Sequence, residues 1–207
     1  RIGNKIIMCG ICGFNWNDEK LIQRMVQKIH HRGPDAHGTK TFPTFSLGNA
    51  RLSIIDLSAK GNQPMSGREG KLWIVYNGEV YNFPEIKKEL LARGYQFNSN
   101  TDTEVVLKSY EEYGPKCLEK FNGMFAFAIW DEEKKELFLA RDRIGIKPLY
   151  YYFKDGMLIF GSEIKSILEA DCVKKEVNLQ SMYYYLGYEF VPAPDTMFKN
   201  IYKLRQG

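Results

Sequence analysis

The residues best equipped for chemistry begin at Cys9, which follows Met8 and opens the run Gly10-Ile11-Cys12-Gly13-Phe14, a Gly/apolar stretch that reads as a strand. In a chain that began at Cys9, one residue would hold both a thiol nucleophile and a free α-amine to act as its base. The match is chemical: a free thiol titrates near about 8.5 and an α-amine at about 7.7 to 8.0, so the amine can take the thiol proton directly or through a water with no histidine involved. His30, His31 and His37 therefore need no catalytic role. While residues 1–7 and Met8 stay attached, the Cys9 nitrogen is an amide without basicity, and the simpler reading of Cys9 is a small apolar strand residue. Cys9 and Cys12 also form a CxxC pair. A redox pair of that kind opens a helix, whereas Gly13-Phe14 continues a strand. Zinc would need two further ligands at close spacing, and Cys117 and Cys172 stand alone.

Further polar residues stand out against their surroundings. Arg51 lies between Ala50 and the run Leu52-Ser53-Ile54-Ile55, where a guanidinium without a partner is costly to bury and calls for a carboxylate from protein or ligand. Asn77-Gly78-Glu79 follows an apolar run; it reads either as a hairpin turn or as two donors, the Asn amide and the Gly N–H, arranged for an oxyanion. Thr101-Asp102-Thr103-Glu104 starts a helix, with Thr101 or Asp102 as its cap, although a carboxylate there could instead hold an ammonium. Arg32-Gly33-Pro34-Asp35 reads as a turn that stops the preceding helix.

The elements that must position these residues follow from periodicity. Leu21, Ile22, Met25, Val26 and Ile29 recur at helical spacing behind Asp18 as a cap, and helices are also expected over 84–93 and 103–113, each followed by glycine. Strands are expected over 11–15, 45–55, 72–76, 124–130, 136–140, 149–153 and 157–160, mostly as hairpins. Antiparallel strand clusters with helices grouped between them indicate an α+β layered fold rather than alternating βαβ units. The apolar run 124–130 is expected to be a central core strand. At 207 residues and 44% hydrophobic, the chain can bury a full core as one domain. Its +4 charge comes from 29 basic and 25 acidic residues without blocks of one sign, which speaks against nucleic-acid or lipid-surface binding, and no run has the length of a membrane helix. Four cysteines without a framework spacing suit a reducing, cytoplasmic setting.

In this order, the segments MCGICGF, HHRGPD, ARLSIIDLSAKGNQPM, YNGEVYN, NTDTE, FNGMFAFAIWD, ARDRIGIKPLYYY, FGSEIKSIL and VPAPDTMFKNIYKL resemble the glutamine-hydrolysing domain of the class II (N-terminal nucleophile) amidotransferases, most closely that of glutamine-dependent asparagine synthetase. The resemblance implies a four-layer αββα sandwich of two antiparallel sheets flanked by helices, and an initiator Met removed to expose Cys9. It implies further that Cys9 attacks the side-chain amide of L-glutamine, that Asn77 and the Gly78 N–H form the oxyanion hole, that Arg51 clamps the substrate carboxylate, and that Asp102 with Glu79 meets its α-ammonium. Ile54 joins these as a substrate-binding residue, and Arg32 is expected to support the site from behind. Residues 1–8 are then a leader or remnant, 9–190 the glutaminase domain and 191–207 the start of a linker to a synthetase domain normally in the same chain. The SGGxDS loop that binds ATP in that domain does not occur here, so no cofactor is expected in this chain; ATP and Mg are implied only for the synthetase domain. A homodimer is compatible with the resemblance. Competing readings are the same half of an asparagine-synthetase-like or other class II amidotransferase, and a catalytically silent glutamine-binding module if residues 1–8 stay attached.

Overall fold

The computed structural model describes residues 8–206. In chain order the principal elements are β1 (Gly10–Phe14), α1 (Glu19–Lys28), β2 (Ala36–Phe42), β3 (Phe45–Arg51), β4 (Met65–Gly67), β5 (Leu72–Val80), α2 (Phe83–Ala92), α3 (Asp102–Tyr113), α4 (Cys117–Lys120), β6 (Gly123–Asp131), β7 (Glu136–Arg141), β8 (Tyr150–Lys154), β9 (Met157–Gly161), α5 (Ile164–Ile167), α6 (Leu179–Tyr188) and β10 (Ile201–Lys203). One sheet has the order β10-β8-β9-β1-β3-β2 and the other β4-β5-β6-β7, with antiparallel pairing throughout.

Strand alternation sends successive side chains to opposite faces, and here it sorts the apolar residues into three cores. Leu72, Ile74 and Tyr76 of β5 and Phe125, Phe127 and Ile129 of β6 pack under Ile86 and Leu90 of α2 and Val106 of α3. Cys12 and Phe14 of β1 pack under Ile22, Met25 and Val26 of α1 and Ile167 of α5. The residues between, Ile11 of β1, Phe45 and Leu47 of β3, Val75 of β5, and Ala126, Ala128 and Trp130 of β6, fill the space between the sheets. Phe45 and Trp130 stack across that space with centroids 4.3 Å apart and planes 9° from parallel. Three cores between four layers make the expected αββα sandwich, and 124–130 is a central strand buried on both faces.

The local signals explain most boundaries. Asp18 caps α1 by accepting from Leu21 N at 2.9 Å, and Thr101 caps α3 by accepting from Glu104 N at 3.3 Å, so Asp102 is the first residue inside α3 and not its cap. Three expectations need correction. The strand expected over 45–55 ends at Arg51, because the chain beyond turns back to meet the Arg51 side chain. The strand expected over 72–76 runs on to Val80, so Asn77-Gly78 lies inside β5, opposite Ala126 and Phe125, and is not a turn. Within 191–207, the stretch expected to begin a linker, Ile201–Lys203 pairs with β8 at the sheet edge, and Leu204 N donates to Leu149 O at 2.8 Å. The edge strand β2, the short strand β4 and the helix α6 had no clear sequence signal. β2 carries Ala-His-Gly-Thr-Lys-Thr-Phe, with little apolar alternation, and α6 leaves Leu179, Tyr183 and Leu186 exposed. The leader assigned to residues 1–8 lies outside the described residues except for Met8. Among the described residues, no helix is long and apolar enough to cross a membrane.

Candidate active site

A cavity of about 270 Å³ opens where the two sheets part, at the edge of β5 that β4 leaves uncovered. Its size suits a small metabolite, falling just under the roughly 300 to 1,000 Å³ of pockets for drug-sized ligands. It is lined by Met8, Cys9, Arg51, Ile54, Asn77, Gly78, Glu79, Asp102 and Lys147, among others, so every residue singled out from the sequence as nucleophile, oxyanion donor or substrate contact meets here. Alternation explains the convergence. Arg51 follows Phe45 and Leu47 on β3, and Asn77 and Glu79 follow Val75 on β5, so all three project into the layer between the sheets, where Cys9 enters two residues ahead of Ile11. Asp102 reaches the same cavity from the first turn of α3.

Cys9 is half-buried. Its Sγ accepts from Leu52 N at 3.3 Å and faces Leu52 O at 3.5 Å. Burial pushes its thiol up, against the Leu52 hydrogen bond and the positive charges of Arg51 and Lys147. The lining contains no histidine: His30 pairs with His37 at 2.8 Å and His31 with Glu163 at 2.9 Å, away from the cavity. Cys12 points to the opposite face of β1, fully buried under α1, where burial drives its thiol far up. The CxxC pair is thus split between two compartments of the fold.

Asn77 is 1% exposed, and its Nδ2 is a buried donor with no partner among the described residues. Gly78 supplies the second donor. Tyr76 N donates to Gln63 Oε1 at 2.6 Å and Val80 N to Asp102 Oδ2 at 3.0 Å, so the even-numbered amides of β5 face its open edge and the Gly78 N–H lies between two that are occupied. On the other side, Phe125 opposite Gly78 turns its own amide to Asp142 Oδ2 at 3.2 Å. A Cβ on Gly78 would stand 2.5 Å from Met124 O, so the strand can follow this path only with glycine.

Arg51 is buried, and its fork is fixed by neutral acceptors: Nη1 donates to Ser58 O at 2.9 Å and Asn62 Oδ1 at 2.8 Å, and Nη2 donates to Asp56 O. Among the described residues Arg51 makes no direct ion pair, although its charge helps to lower the nearby Asp56 carboxyl, and the guanidinium is held in one orientation. Asp102 is buried, and burial raises its carboxyl although Tyr76 OH at 2.6 Å and Val80 N bond its Oδ2. Tyr76 in turn is pushed well up by burial and by that carboxylate, so it stays a neutral donor. Glu79 is half-buried on the wall, and Ile54 lies at the rim with 67% of its surface exposed. Arg32, read as a support, donates from Nε to Cys9 O at 3.0 Å and from Nη1 to Glu163 at 3.0 Å.

A model of the glutamine amidotransferase domain matches residues 8–207. The chain belongs to the glutamine amidotransferase domain family. Over 208 residues this domain is 41% identical to asparagine synthetase [glutamine-hydrolyzing] 1 of Bacillus subtilis, covering 97% of this chain and 33% of that protein. It is 39% identical to putative asparagine synthetase [glutamine-hydrolyzing] 2 of Methanocaldococcus jannaschii, covering 95% of this chain and 42% of that one. The chain therefore spans well under half the length of these relatives. Among solved structures, the glutamine phosphoribosylpyrophosphate amidotransferase of B. subtilis superposes with a TM-score of 0.67 at 21% identity, over 77% of this chain and 43% of that one, a likeness of fold.

Among the cavity residues that escaped the sequence reading are Gln63, Tyr76 and Lys147. Gln63 and Tyr76 act by holding β5 and Asp102, roles visible only once the edge of β5 is known. Lys147 sits in the Ile-Gly-Ile-Lys-Pro-Leu stretch, where a lysine amid apolar residues was the available signal.

Proposed function

We propose that this amidotransferase domain hydrolyses L-glutamine to glutamate and ammonia through a γ-glutamyl thioester on Cys9, as the ammonia-supplying half of an asparagine synthetase of class II. The observation that carries this reading is the pair of unused donors, Asn77 Nδ2 and the Gly78 N–H, in the cavity that holds the Cys9 thiol. With Cys9 first in the chain, its α-amine takes the thiol proton and Sγ attacks the side-chain amide carbon; the oxygen gains charge between the two donors. The α-ammonium then gives its proton to the departing nitrogen, ammonia leaves, and water cleaves the thioester. Arg51 meets the substrate α-carboxylate, while Asp102 and Glu79 meet its α-ammonium. Nucleophile, base and oxyanion donors are all protein atoms, so this half-reaction calls for neither nucleotide nor metal ion. The ammonia acceptor, with any ATP and Mg, is assigned to a synthetase portion like the remainder of the longer relatives, and the four free thiols suit a cytoplasmic ligase.

A second reading is a glutamine-binding module without turnover, which the position of Met8 favours: Met8 lines the cavity while its peptide bond removes the base. Glutamate release separates the two. The chain beginning at Cys9 is expected to turn over glutamine, and Cys9→Ala and the chain with residues 1–8 attached are not. Turnover by a chain whose intact mass shows residues 1–8 in place would overturn the amine as base, and no turnover by the chain beginning at Cys9 would leave the binding module.

A further inference from the structure

Lys147 is 5% exposed and lines the Cys9 cavity, and its Nζ donates to Met8 Sδ at 2.9 Å. An ammonium has three protons to place and a thioether sulfur is a weak acceptor, so this buried charge is poorly satisfied. Among the described residues it forms no ion pair with a carboxylate. The loop that carries it is rigid. Asp142 accepts from the amides of Phe125, Ile144, Ile146 and Lys147 at 2.9 to 3.2 Å, and Lys147 O accepts from Arg141 Nε at 2.6 Å. The ammonium is therefore delivered to one place, beside the residue that precedes the nucleophile.

The other charges around it do not neutralise it. Arg32 adds positive charge but is engaged by Glu163, and the Asp142 carboxylate is taken by amides. Burial disfavours the Lys147 charge; Cys9, then Glu79 and Asp142, favour it and Arg32 opposes it, while Glu79 with Asp102 sits on the wall assigned above to the substrate ammonium. Resting on the reading of Cys9 as an N-terminal nucleophile, we propose that Lys147 is a positioning residue for its reaction: with Met8 gone, the ammonium faces the Cys9 thiol and α-amine, favouring thiolate and keeping the amine in its proton-accepting form. A fixed cation makes a second positive charge on the amine unfavourable and a negative charge on sulfur favourable, so both groups work at lower pH than they otherwise would. Met8 in this view does more than block the amine, because its sulfur also occupies the lysine.

The test uses the chain beginning at Cys9 and its Lys147→Met and Lys147→Arg variants, with two readouts against pH: the rate of Cys9 alkylation by iodoacetamide and kcat/KM for glutamine. In Lys147→Met both profiles are expected to move to higher pH by about one unit, a loss of roughly tenfold on the acid limb, while KM at the plateau changes by less than about twofold and Lys147→Arg restores the profile. Superimposable profiles, or a lowered plateau with no displacement, would overturn the proposal in favour of a packing role. Methionine keeps the stem volume, and Lys147→Gln serves the same comparison if Lys147→Met does not fold. Alkylation reads the thiol without turnover, so a displaced alkylation profile in a chain that releases no glutamate would leave the Lys147–Cys9 coupling standing and count against the glutaminase alone.

Discussion

Asn77 shows what a single orphaned donor implies. A buried amide hydrogen with no partner carries a desolvation cost of about 1 to 3 kcal/mol in the resting protein, and a charged oxygen placed against it recovers that cost only as the reaction proceeds. Asn77→Ala is accordingly expected to lower kcat for glutamine by roughly 10² to 10³, with little change in KM, in steady-state glutamate release. A rise in KM of the same size with kcat intact would assign Asn77 to ground-state binding instead. At this scale the sequence was informative wherever a polar residue conflicted with its neighbours. Arg51 in an apolar run and Cys9 after Met8 could be singled out because their types are costly or reactive in such places. Lys147 offered the same kind of conflict, a lysine among apolar residues, but its partner is a sulfur 139 positions earlier in the chain, which spacing does not reveal.

Element β5 is where local propensity and tertiary structure disagree. Asn-Gly favours a two-residue turn, yet here it continues as strand, because β6 offers an unbroken partner from Val80↔Gly123 to Leu72↔Asp131. The open edge of β5 is protected by side chains instead of a neighbouring strand: Gln63 covers Tyr76 N and Asp102 covers Val80 N. That division of labour could not be inferred from spacing, because Gln63 and Asp102 come from opposite directions along the chain. Gly78→Ala tests the geometry directly. Its methyl group would meet backbone atoms, Met124 O at 2.5 Å and Phe125 Cα at 2.6 Å, which cannot swing aside as a side-chain end can. The substitution should cost about 1 to 3 kcal/mol in chemical denaturation and remove glutaminase activity together with it. An alanine variant of unchanged stability and full activity would show that β5 has room to move.

Across the whole molecule, one partly buried network ties the layers to Cys9. Glu163, just ahead of α5, binds Arg32, His31 and Lys165, and Arg32 in turn holds the Cys9 carbonyl. Burial by itself would raise the Glu163 carboxyl, but the hydrogen bonds from Lys165, Arg32 and His31 outweigh it and hold the group at about 2. A carboxyl held below its unfolded value of about 4.3 adds stability that is complete above that value and is lost as pH falls toward the folded one. The urea midpoint should therefore drop between about pH 4.5 and 2, and Glu163→Gln should be less stable at neutral pH with a flatter response in that window. The same slope in both proteins would place the acid sensitivity elsewhere. The α+β layering was legible, since hairpin spacing and amphipathic helices specify which faces are apolar, whereas the four-layer αββα order was implied by the family resemblance; sheet order, the edge strands β2 and β10, and the exposed helix α6 were not legible, because they depend on pairings between distant segments. The stacked rings of Phe45 and Trp130 then take on a further meaning. In the proposed reaction the Cys9 thiol and the Asn77 and Gly78 donors come from opposite sheets, so the gap across which sulfur must reach carbon is a dimension of the core, which these two rings, outside the cavity lining, help to set.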